Sequence, residues 1–151
     1  MSLTGEINDL ELGDLPNMVG IELRICQIIA DRALSNASTI PVSPGLFTIL
    51  SLIQKNPGQK QITLAETVKL DRSSLVPIID QCEKSGWLKR LPYPGDRRAH
   101  AIHLTKKGVA TLNQLEQSVL LLEQRITEGL GEANKNLLLS LLKNLQTTLS
   151  D

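Results

Sequence analysis

The sequence predicts a mainly α-helical chain that contains one small β-hairpin. Three observations support this fold class: apolar residues recur at helical spacing near both ends, two short capped segments follow one another in the middle, and an alternating pattern flanks the turn residues Pro94 and Gly95. With 151 residues, 41% apolar and only 2% aromatic, the chain is long enough for one domain with an aliphatic core, or for one domain plus arms that need a partner.

The first predicted helix runs from about Leu15 to Ser35 and is apolar on more than one narrow stripe. Such a surplus indicates burial on two sides, and therefore an interface between two copies of the chain. The next helix is predicted to begin at Ser43-Pro44, as an N-cap followed by proline in the first turn, and to end at Asn56-Pro57-Gly58.

Two short helices come next. After a short extended piece at Gln61-Ile62, the run Thr63-Leu64-Ala65-Glu66 has the capping-box pattern that opens a helix. The cap-rich cluster from Asp71 to Ser74 opens a second helix, which Ser85-Gly86 ends. Two short helices joined by a tight turn form a helix-turn-helix.

A β-hairpin and two longer helices complete the prediction. The extended run from Trp87 to Tyr93 and the alternating run from Ala99 to Leu104 flank a basic, turn-rich tip. Thr105 is predicted to cap a helix that reaches about Leu130, and a last helix spans Glu132 to Leu149. The leucines of these helices have no obvious partners in the small middle module, which favours a dimer.

The charge distribution separates the middle of the chain from its ends. The whole sequence holds 16 basic and 16 acidic residues, but Lys55 to Lys107 holds 11 basic and 5 acidic ones, a net charge of +6 against −6 for the remainder. This asymmetry favours one module that faces a polyanion. The alternative is that the charges are merely solvated.

The stretch LDRSSLVPIIDQCEKSGWLKRLPYPGDRRAHAIHLTKKG, residues 70–108, resembles the MarR family of bacterial transcriptional regulators. The matching features occur in the family's order and are Asp71-x-Ser73-Ser74, Asp80, Glu83, Gly86, Asp96-Arg97-Arg98 and Leu104-Thr105-x-x-Gly108. A helix-turn-helix followed by a hairpin with a basic tip is a winged helix. The resemblance implies a winged helix-turn-helix with flanking dimerisation helices.

The family resemblance also implies the function and the division of the chain. Residues 1–38 are expected to form an N-terminal arm and dimerisation helix, 39–108 the DNA-binding module, and 109–151 the C-terminal dimerisation helices. The expected partner is double-stranded DNA with a pseudo-palindromic operator, bound by a homodimer that represses transcription. A small-molecule effector is expected to modulate it.

The DNA-contacting residues are expected on the second helix of the helix-turn-helix and on the wing. Arg72, Ser73 and Ser74 lie at a helix N-terminus, where backbone amides and the positive dipole end favour phosphate, although capping alone is as plausible for either serine. Pro77 stands where many relatives carry a polar or basic side chain. With Ser74 as the N-cap it falls in the first turn; with Asp71 as the cap a local distortion is expected.

On the wing, Arg98 is expected to enter the narrow minor groove, and Arg97 contributes less. Asp96 is expected to pair with Arg98 and to stabilise the tip; the alternative is a weak surface ion pair. Other basic side chains are expected to contact the DNA backbone at most, or to be merely solvated: Lys84, Lys89, Arg90, Lys106 and Lys107.

An effector cleft between the dimer helices and the DNA-binding module is expected to be lined by Met18, Ile21, Glu22, Ile25 and Phe47, although an ordinary core role is the stronger interpretation for the apolar ones. Cys26 lies in the region where the peroxide-sensing branch of the family keeps its reactive cysteine. Without the expected tyrosine partners, redox sensing is only an alternative. Cys82 is expected to be a small core residue.

Several classes of function are excluded or disfavoured. The sequence has no H-E-x-x-H, no G-x-S-x-G and no phosphate-binding glycine loop, so we expect no enzyme, no catalytic residues and no cofactor. His100 and His103 should face opposite sides of a strand, so no metal site is expected. No long apolar run and no secretory signal is present, which favours a cytoplasmic protein without membrane contact. The remaining alternative is a winged-helix protein-interaction module that does not bind DNA.

Overall fold

The computed structural model describes residues 11–70 and 72–150, with Arg72 described by its backbone alone. A short 3-10 turn at Leu15–Asn17 precedes the first long helix. The remaining elements, in chain order, are α1 (Val19–Ala37), α2 (Leu46–Lys55), β1 (Gln59–Lys60), α3 (Gln61–Thr67), α4 (Arg72–Lys84), β2 (Leu88–Tyr93), β3 (Asp96–Leu104), α5 (Lys106–Leu130) and α6 (Glu132–Thr148). The predicted fold class, mainly helical with a hairpin after a helix-turn-helix, is confirmed.

The sheet has the strand order β1-β3-β2, and both pairings are antiparallel. The β2–β3 hairpin pairs Leu88 with Leu104 at its base, and its register shifts between Pro92 and Tyr93, so that Tyr93 pairs with Asp96 at the tip. The third strand, β1, differs from the prediction. Pairing with β3 begins at Gln59, and Gln61, expected in an extended piece, is already the first residue of α3.

The hydrophobic core is aliphatic, as predicted, and is built around α2. Its side chains come from α2, α3, α4, the hairpin and the first half of α5, and those with almost no exposure are Leu46, Ile49, Leu50, Ile53, Leu75, Ile79, Ile102, Leu115 and Cys82. Trp87 lies at the edge of the same cluster, 7% exposed. This core holds the helix-turn-helix and the wing as one module.

Two predicted helix starts are wrong. The N-cap of α2 is Gly45 rather than Ser43; its φ of 81° closes a turn in which the Leu46 amide donates to the Ser43 carbonyl oxygen. The N-cap of α3 is Lys60, so Thr63 lies inside the helix rather than at a capping box. At α2 a tight local turn fixes the start, whereas at α3 the pairing of β1 with β3 does so and overrides the local capping signal.

Helix α4 begins at Arg72, so Ser74 is a helical residue and not the N-cap. Pro77 is therefore the sixth residue of the helix, past the first turn. Because proline has no N–H, it donates no helical hydrogen bond at this point. Pro77 therefore interrupts the hydrogen bonding of α4, which is the second or recognition helix of the helix-turn-helix.

The terminal helices remain mostly uncovered in the single chain. None of the described residues of α1 or α6 is buried. The large exposed apolar side chains are concentrated there and on the distal half of α5: Met18, Val19, Leu23, Ile28, Leu120, Leu121, Leu130, Leu137, Leu138, Leu139, Leu141 and Leu149. Across the described ranges, no helix is both long and apolar enough to traverse a bilayer.

Candidate nucleic-acid interface

The helix-turn-helix is held by a turn at the end of α3. Lys69 adopts a left-handed conformation with φ of 56°, and the Leu70 amide donates to the Ala65 carbonyl oxygen at 3.0 Å. On α4, Leu75 and Ile79 are buried in the core while Ser73 and Ser74 are exposed at the N-terminal end. The start of α4 is therefore presented on the surface of the module.

Between α4 and the wing lies a groove of about 550 Å³. Leu75 and Val76 line it from the recognition helix, and Asp96, Arg98 and His100 line it from the wing. The start of α4 and the basic tip thus border one concave surface, although they are separated by about twenty residues of chain.

The wing tip is shaped by Asp96. Its Oδ1 accepts a hydrogen bond from the Arg98 backbone N–H at 3.1 Å, and its Oδ2 forms an ion pair with Lys60 Nζ at 3.0 Å. Asp96 therefore pairs with Arg98 through the backbone, while its ionic partner is Lys60 of β1. The hydrogen bond from Lys60, followed by the one from the Arg98 amide, lowers the pKa of the Asp96 carboxyl.

Arg97 and Arg98 are both exposed at the tip, where Gly95 turns the chain with φ of 79°. The Asp96 carboxylate accepts from the Arg98 backbone amide and not from an arginine guanidinium group. This hydrogen bond stabilises the turn and leaves the guanidinium groups at the surface. Negative potential in a narrow minor groove attracts arginine side chains of this kind.

Other predicted contact residues are dispersed. Lys84 is exposed but ends α4, roughly 16 Å along the helix axis from Ser73. The side chain of Arg72 lies outside the described part of the chain. The structure thus places Arg98 at the groove, leaves Ser73, Ser74 and Arg97 exposed next to residues that line it, and leaves Lys84 at the far end of the helix.

Arg90 has a structural position that the sequence did not reveal. From β2 it forms ion pairs with Asp80 and Glu83 of α4, and it donates to Gln61 Oε1 at 3.5 Å. Burial opposes the charge of Arg90, but the hydrogen bonds that Arg90 donates to the carboxylates of Asp80 and Glu83 outweigh it and raise its pKa. Arg90 joins the recognition helix to the wing rather than projecting toward a ligand.

Besides the ion pairs of Arg90, a second set of contacts links the base of the wing to α5. As predicted, Thr105 caps α5, accepting from the Gly108 amide at 3.0 Å, and its hydroxyl donates to the Gly86 carbonyl oxygen at 2.6 Å. Lys107 Nζ donates to the Ser85 carbonyl oxygen at 2.9 Å. The Leu104-Thr105-x-x-Gly108 run is therefore a structural joint.

Comparison with known proteins identifies this arrangement. The MarR family model matches residues 42–100, which hold the helix-turn-helix and most of the wing. A Thauera aromatica protein named as a transcriptional regulator for the hcr operon is 36% identical over 142 residues, covering 93% of this chain and 86% of the relative. The chain belongs to the MarR family of transcriptional regulators.

Further relatives of this chain are also transcriptional regulators. The HTH-type transcriptional regulator PecS of Dickeya dadantii is 30% identical over 87% of this chain and 81% of its own length. The structure of the transcriptional repressor CouR bound to a 23-mer DNA duplex matches with a TM-score of 0.82 and 33% identity, covering 91% of this chain and 99% of that one. CouR bound to p-coumaroyl-CoA matches with the same TM-score, at 31% identity and coverage of 91% and 98%. These relatives are regulators rather than enzymes.

Two of the five residues expected in a MarR effector cleft lie at a depression between the start of α1 and α6. Met18 and Glu22 line an apolar depression of about 560 Å³ together with Leu138, Leu141 and Leu145 of α6. Ile21 and Ile25 do not line it, and Phe47 packs against the core. The depression belongs to the exposed apolar surface of the terminal helices.

The cysteines and histidines do not form a reactive cluster. Cys26 is exposed and lines the same depression, whereas Cys82 is buried in the core, as expected, and burial raises the pKa of its thiol to about 11. His100 borders the groove and His103 lies against Gly58. Within residues 11–70 and 72–150, no group of His, Cys, Asp and Glu is arranged to hold a metal ion.

Proposed function

We propose that this MarR-family protein is a homodimeric repressor that binds a pseudo-palindromic operator and is released by a small-molecule effector. The observation that carries the proposal is the groove between α4 and the wing, which is lined by the first turns of the recognition helix on one side and by the exposed Arg98 of the wing tip on the other. Two such modules related by two-fold symmetry read half-sites about one helical turn apart. The protein would act in the cytoplasm, where bacterial DNA lies.

The recognition helix supplies the major-groove contacts in this proposal. Ser73 and Ser74 stand in the first turn of α4, where backbone amides favour a phosphate and short hydroxyls can reach base edges. Arg72 would contact the DNA backbone beside them, and Lys84 a phosphate at the far end. Because Pro77 offers no polar group, base reading would depend on the first turn of the helix.

The wing supplies the minor-groove contact. Arg98 would enter the groove and Arg97 would reach the flanking phosphates, on a tip held in shape by Asp96. In support, the DNA-bound relative CouR shares the fold over nearly its whole length.

Dimerisation would use the regions before and after the winged module, residues 1–38 and 109–151, with 39–108 as the DNA-binding module. The exposed leucines of α6 and the apolar residues of α1 support this division. The first turns of α5 serve the module as well, because Leu112 and Leu115 are buried in its core. A second copy would cover the depression lined by Met18 and Leu141.

The proposed effector is an acyl-coenzyme A thioester, supported by the relative CouR bound to p-coumaroyl-CoA. It would bind between the dimer helices and the winged module, near Ile21 and Ile25 of α1 and Phe47 of α2, two helices that both pack on α5. To relieve repression, the thioester must favour the DNA-free form by roughly 1–3 kcal/mol. Redox sensing by Cys26 has weaker support, because its depression is apolar and contains no basic residue to stabilise a thiolate.

The test is a gel-shift titration on the DNA upstream of the protein's own gene, repeated over a salt series. Specific binding should survive excess competitor DNA and weaken steeply as salt rises. Adding p-coumaroyl-CoA should release the DNA, while free coenzyme A and p-coumaric acid serve as controls. Failure to bind any upstream duplex specifically would instead favour a protein-interaction module. Release by neither thioester nor controls would reject only the proposed effector.

A further inference from the structure

The side chain of Lys60 links three parts of the DNA-binding module. Lys60 is the second residue of β1 and the N-cap of α3, so it stands where the strand passes directly into the helix-turn-helix. Its backbone pairs with Ala101 of β3, and its side chain is half-buried, 32% exposed. The position of Lys60 is therefore fixed by the sheet and not by the wing tip.

From this position the ammonium group contacts both residues at the base of the wing turn. Lys60 Nζ lies 3.0 Å from Asp96 Oδ2 and 4.5 Å from the centre of the Tyr93 ring. Tyr93 and Asp96 are also the last paired residues of the hairpin, and the register shift lies just before them. A single cation therefore holds the two ends of the turn where the strand ladder is irregular.

Asp96 connects Lys60 to Arg98, the arginine that we assign to the minor groove. While Oδ2 is engaged by Lys60, Oδ1 accepts the Arg98 backbone N–H at 3.1 Å. The Ala99 amide, on the same strand as Arg98, also interacts with this carboxylate, so among its described partners Lys60 is the one that lies outside the wing. Removing the ammonium would leave the carboxylate with backbone partners on its own strand, so the acceptor of the Arg98 amide would no longer be held from outside the wing.

We propose that Lys60 is a positioning residue for DNA binding, which holds the wing tip against the helix-turn-helix through Asp96 and Tyr93. The proposal rests on the DNA-binding function proposed above. Lys60 also lines the groove between α4 and the wing, so a direct contact from its ammonium to a DNA phosphate is the competing explanation. The two explanations differ in whether the effect of Lys60 passes through Asp96.

The first test needs no DNA. Amide hydrogen exchange of Arg98 is followed by NMR in the wild type, in Lys60→Met, which keeps the aliphatic stem, and in Lys60→Arg, which keeps the charge. The Arg98 amide should exchange several-fold faster in Lys60→Met and near the wild-type rate in Lys60→Arg, with amides of the core strands unchanged. Equal exchange rates at Arg98 in all three proteins would overturn the positioning role.

The second test is a double-mutant cycle on DNA affinity, using a labelled duplex selected from a random-sequence library with the wild-type protein. Lys60→Met should weaken binding by about fivefold, the scale expected for a partly exposed ion pair. In the Asp96→Asn background the same substitution should have almost no further effect. If the affinity losses of the two single variants multiply in the double variant, action through Asp96 is refuted and a direct phosphate contact is indicated. An unchanged affinity in Lys60→Met would also refute action through Asp96.

The two tests separate the inference from the function on which it rests. If the wild type selects no duplex but Lys60→Met still accelerates exchange at Arg98, DNA binding is refuted and the ordering of the wing by Lys60 stands. If the wild type binds DNA and neither measurement responds to Lys60→Met, the function stands and the positioning role is refuted. Thermal unfolding of each variant, measured at one protein concentration, checks that the module stays folded.

Discussion

The backbone carbonyl oxygen of Trp87 lies 1.8 Å from the point that a β-carbon on Gly108 would occupy. The same oxygen accepts the Thr105 amide at 3.0 Å, so it cannot move without breaking the joint between the wing and α5. Glycine is required here by the close approach of two backbones, because the opposing atom is main chain and not the end of a flexible side chain.

Gly108→Ala should therefore lower the free energy of unfolding by about 3 kcal/mol or more, since either α5 or the base of the wing must shift. The matched control is Gly129→Ala in the same helix, where a β-carbon meets nothing within 4 Å in the chain. That variant should gain about 0.5–1 kcal/mol from the better helix former. Urea unfolding at one protein concentration measures both, and similar stabilities for the two variants would contradict the close approach.

Arg98→Ala should weaken operator binding by about 1–3 kcal/mol, because it removes the side chain assigned to the minor groove. Its thermal unfolding should remain unchanged, since the Arg98 amide and not the side chain is bound to Asp96. Arg97→Ala is the control and should have the smaller effect. Fluorescence anisotropy with the operator measures both affinities; an unaltered affinity in Arg98→Ala would remove the wing from the mechanism.

Arg90→Met should destabilise the module by about 1–2 kcal/mol, because it leaves Asp80 and Glu83 without their shared cation. The estimate is modest because Asp80 is 57% exposed and solvent screens the pair. Lys89→Met changes the exposed neighbour on the same strand and should have little effect. Urea midpoints that fall equally in both variants would show that the ion pairs of Arg90 contribute nothing specific.

Leu141→Glu should convert the dimer to a monomer and abolish operator binding. Leu141 is exposed in the single chain and lines the apolar depression with Met18, so a charge there could not be buried against a second copy. Gln146→Glu adds the same charge at an exposed polar position of α6. Light scattering reports the mass of each variant, and a dimeric Leu141→Glu protein would place the interface elsewhere.

Cys82 should resist alkylation in the native protein at neutral pH. Its thiol is buried, and with the pKa raised to about 11 almost none of it is thiolate until the pH approaches that value. In a Cys26→Ser variant, iodoacetamide at pH 8 should therefore label no thiol until denaturant is added, and mass spectrometry measures the label. Rapid native labelling of that variant would show that the core around Cys82 opens readily.

Much of the fold was predictable because it follows local patterns. Helical spacing, the cap at Thr105 and the alternation around Pro94-Gly95 each lie within a few residues of the element they specify. The sequence missed contacts between distant positions. Strand β1 is only two residues long and depends on pairing with β3, and Lys60 meets Asp96 across 36 positions.

The candidate site shows the same division. The exposed arginines of the tip and the serines at the start of α4 were predicted from the resemblance to the MarR family, supported by residue type and helix position. The role of Arg90 was not, because a basic residue on a strand gives no local sign of whether it faces solvent or two carboxylates. Its partners Asp80 and Glu83 stood in the recognised motif, one turn apart on α4, and that spacing was the available signal.

Helix α5 has a mechanical consequence for regulation. It runs without interruption for 25 residues, roughly 37 Å, with its first turn fixed to the wing and its distal leucines on the uncovered surface. Because the first turn of α5 is attached to the wing, a tilt of the helix about its distal half would move the wing by a distance that grows with the length of the helix. In the proposed dimer, a ligand bound beside the distal half of α5 would need to tilt this helix by only a few degrees. The distance between the two DNA-binding modules would then no longer match one turn of the double helix.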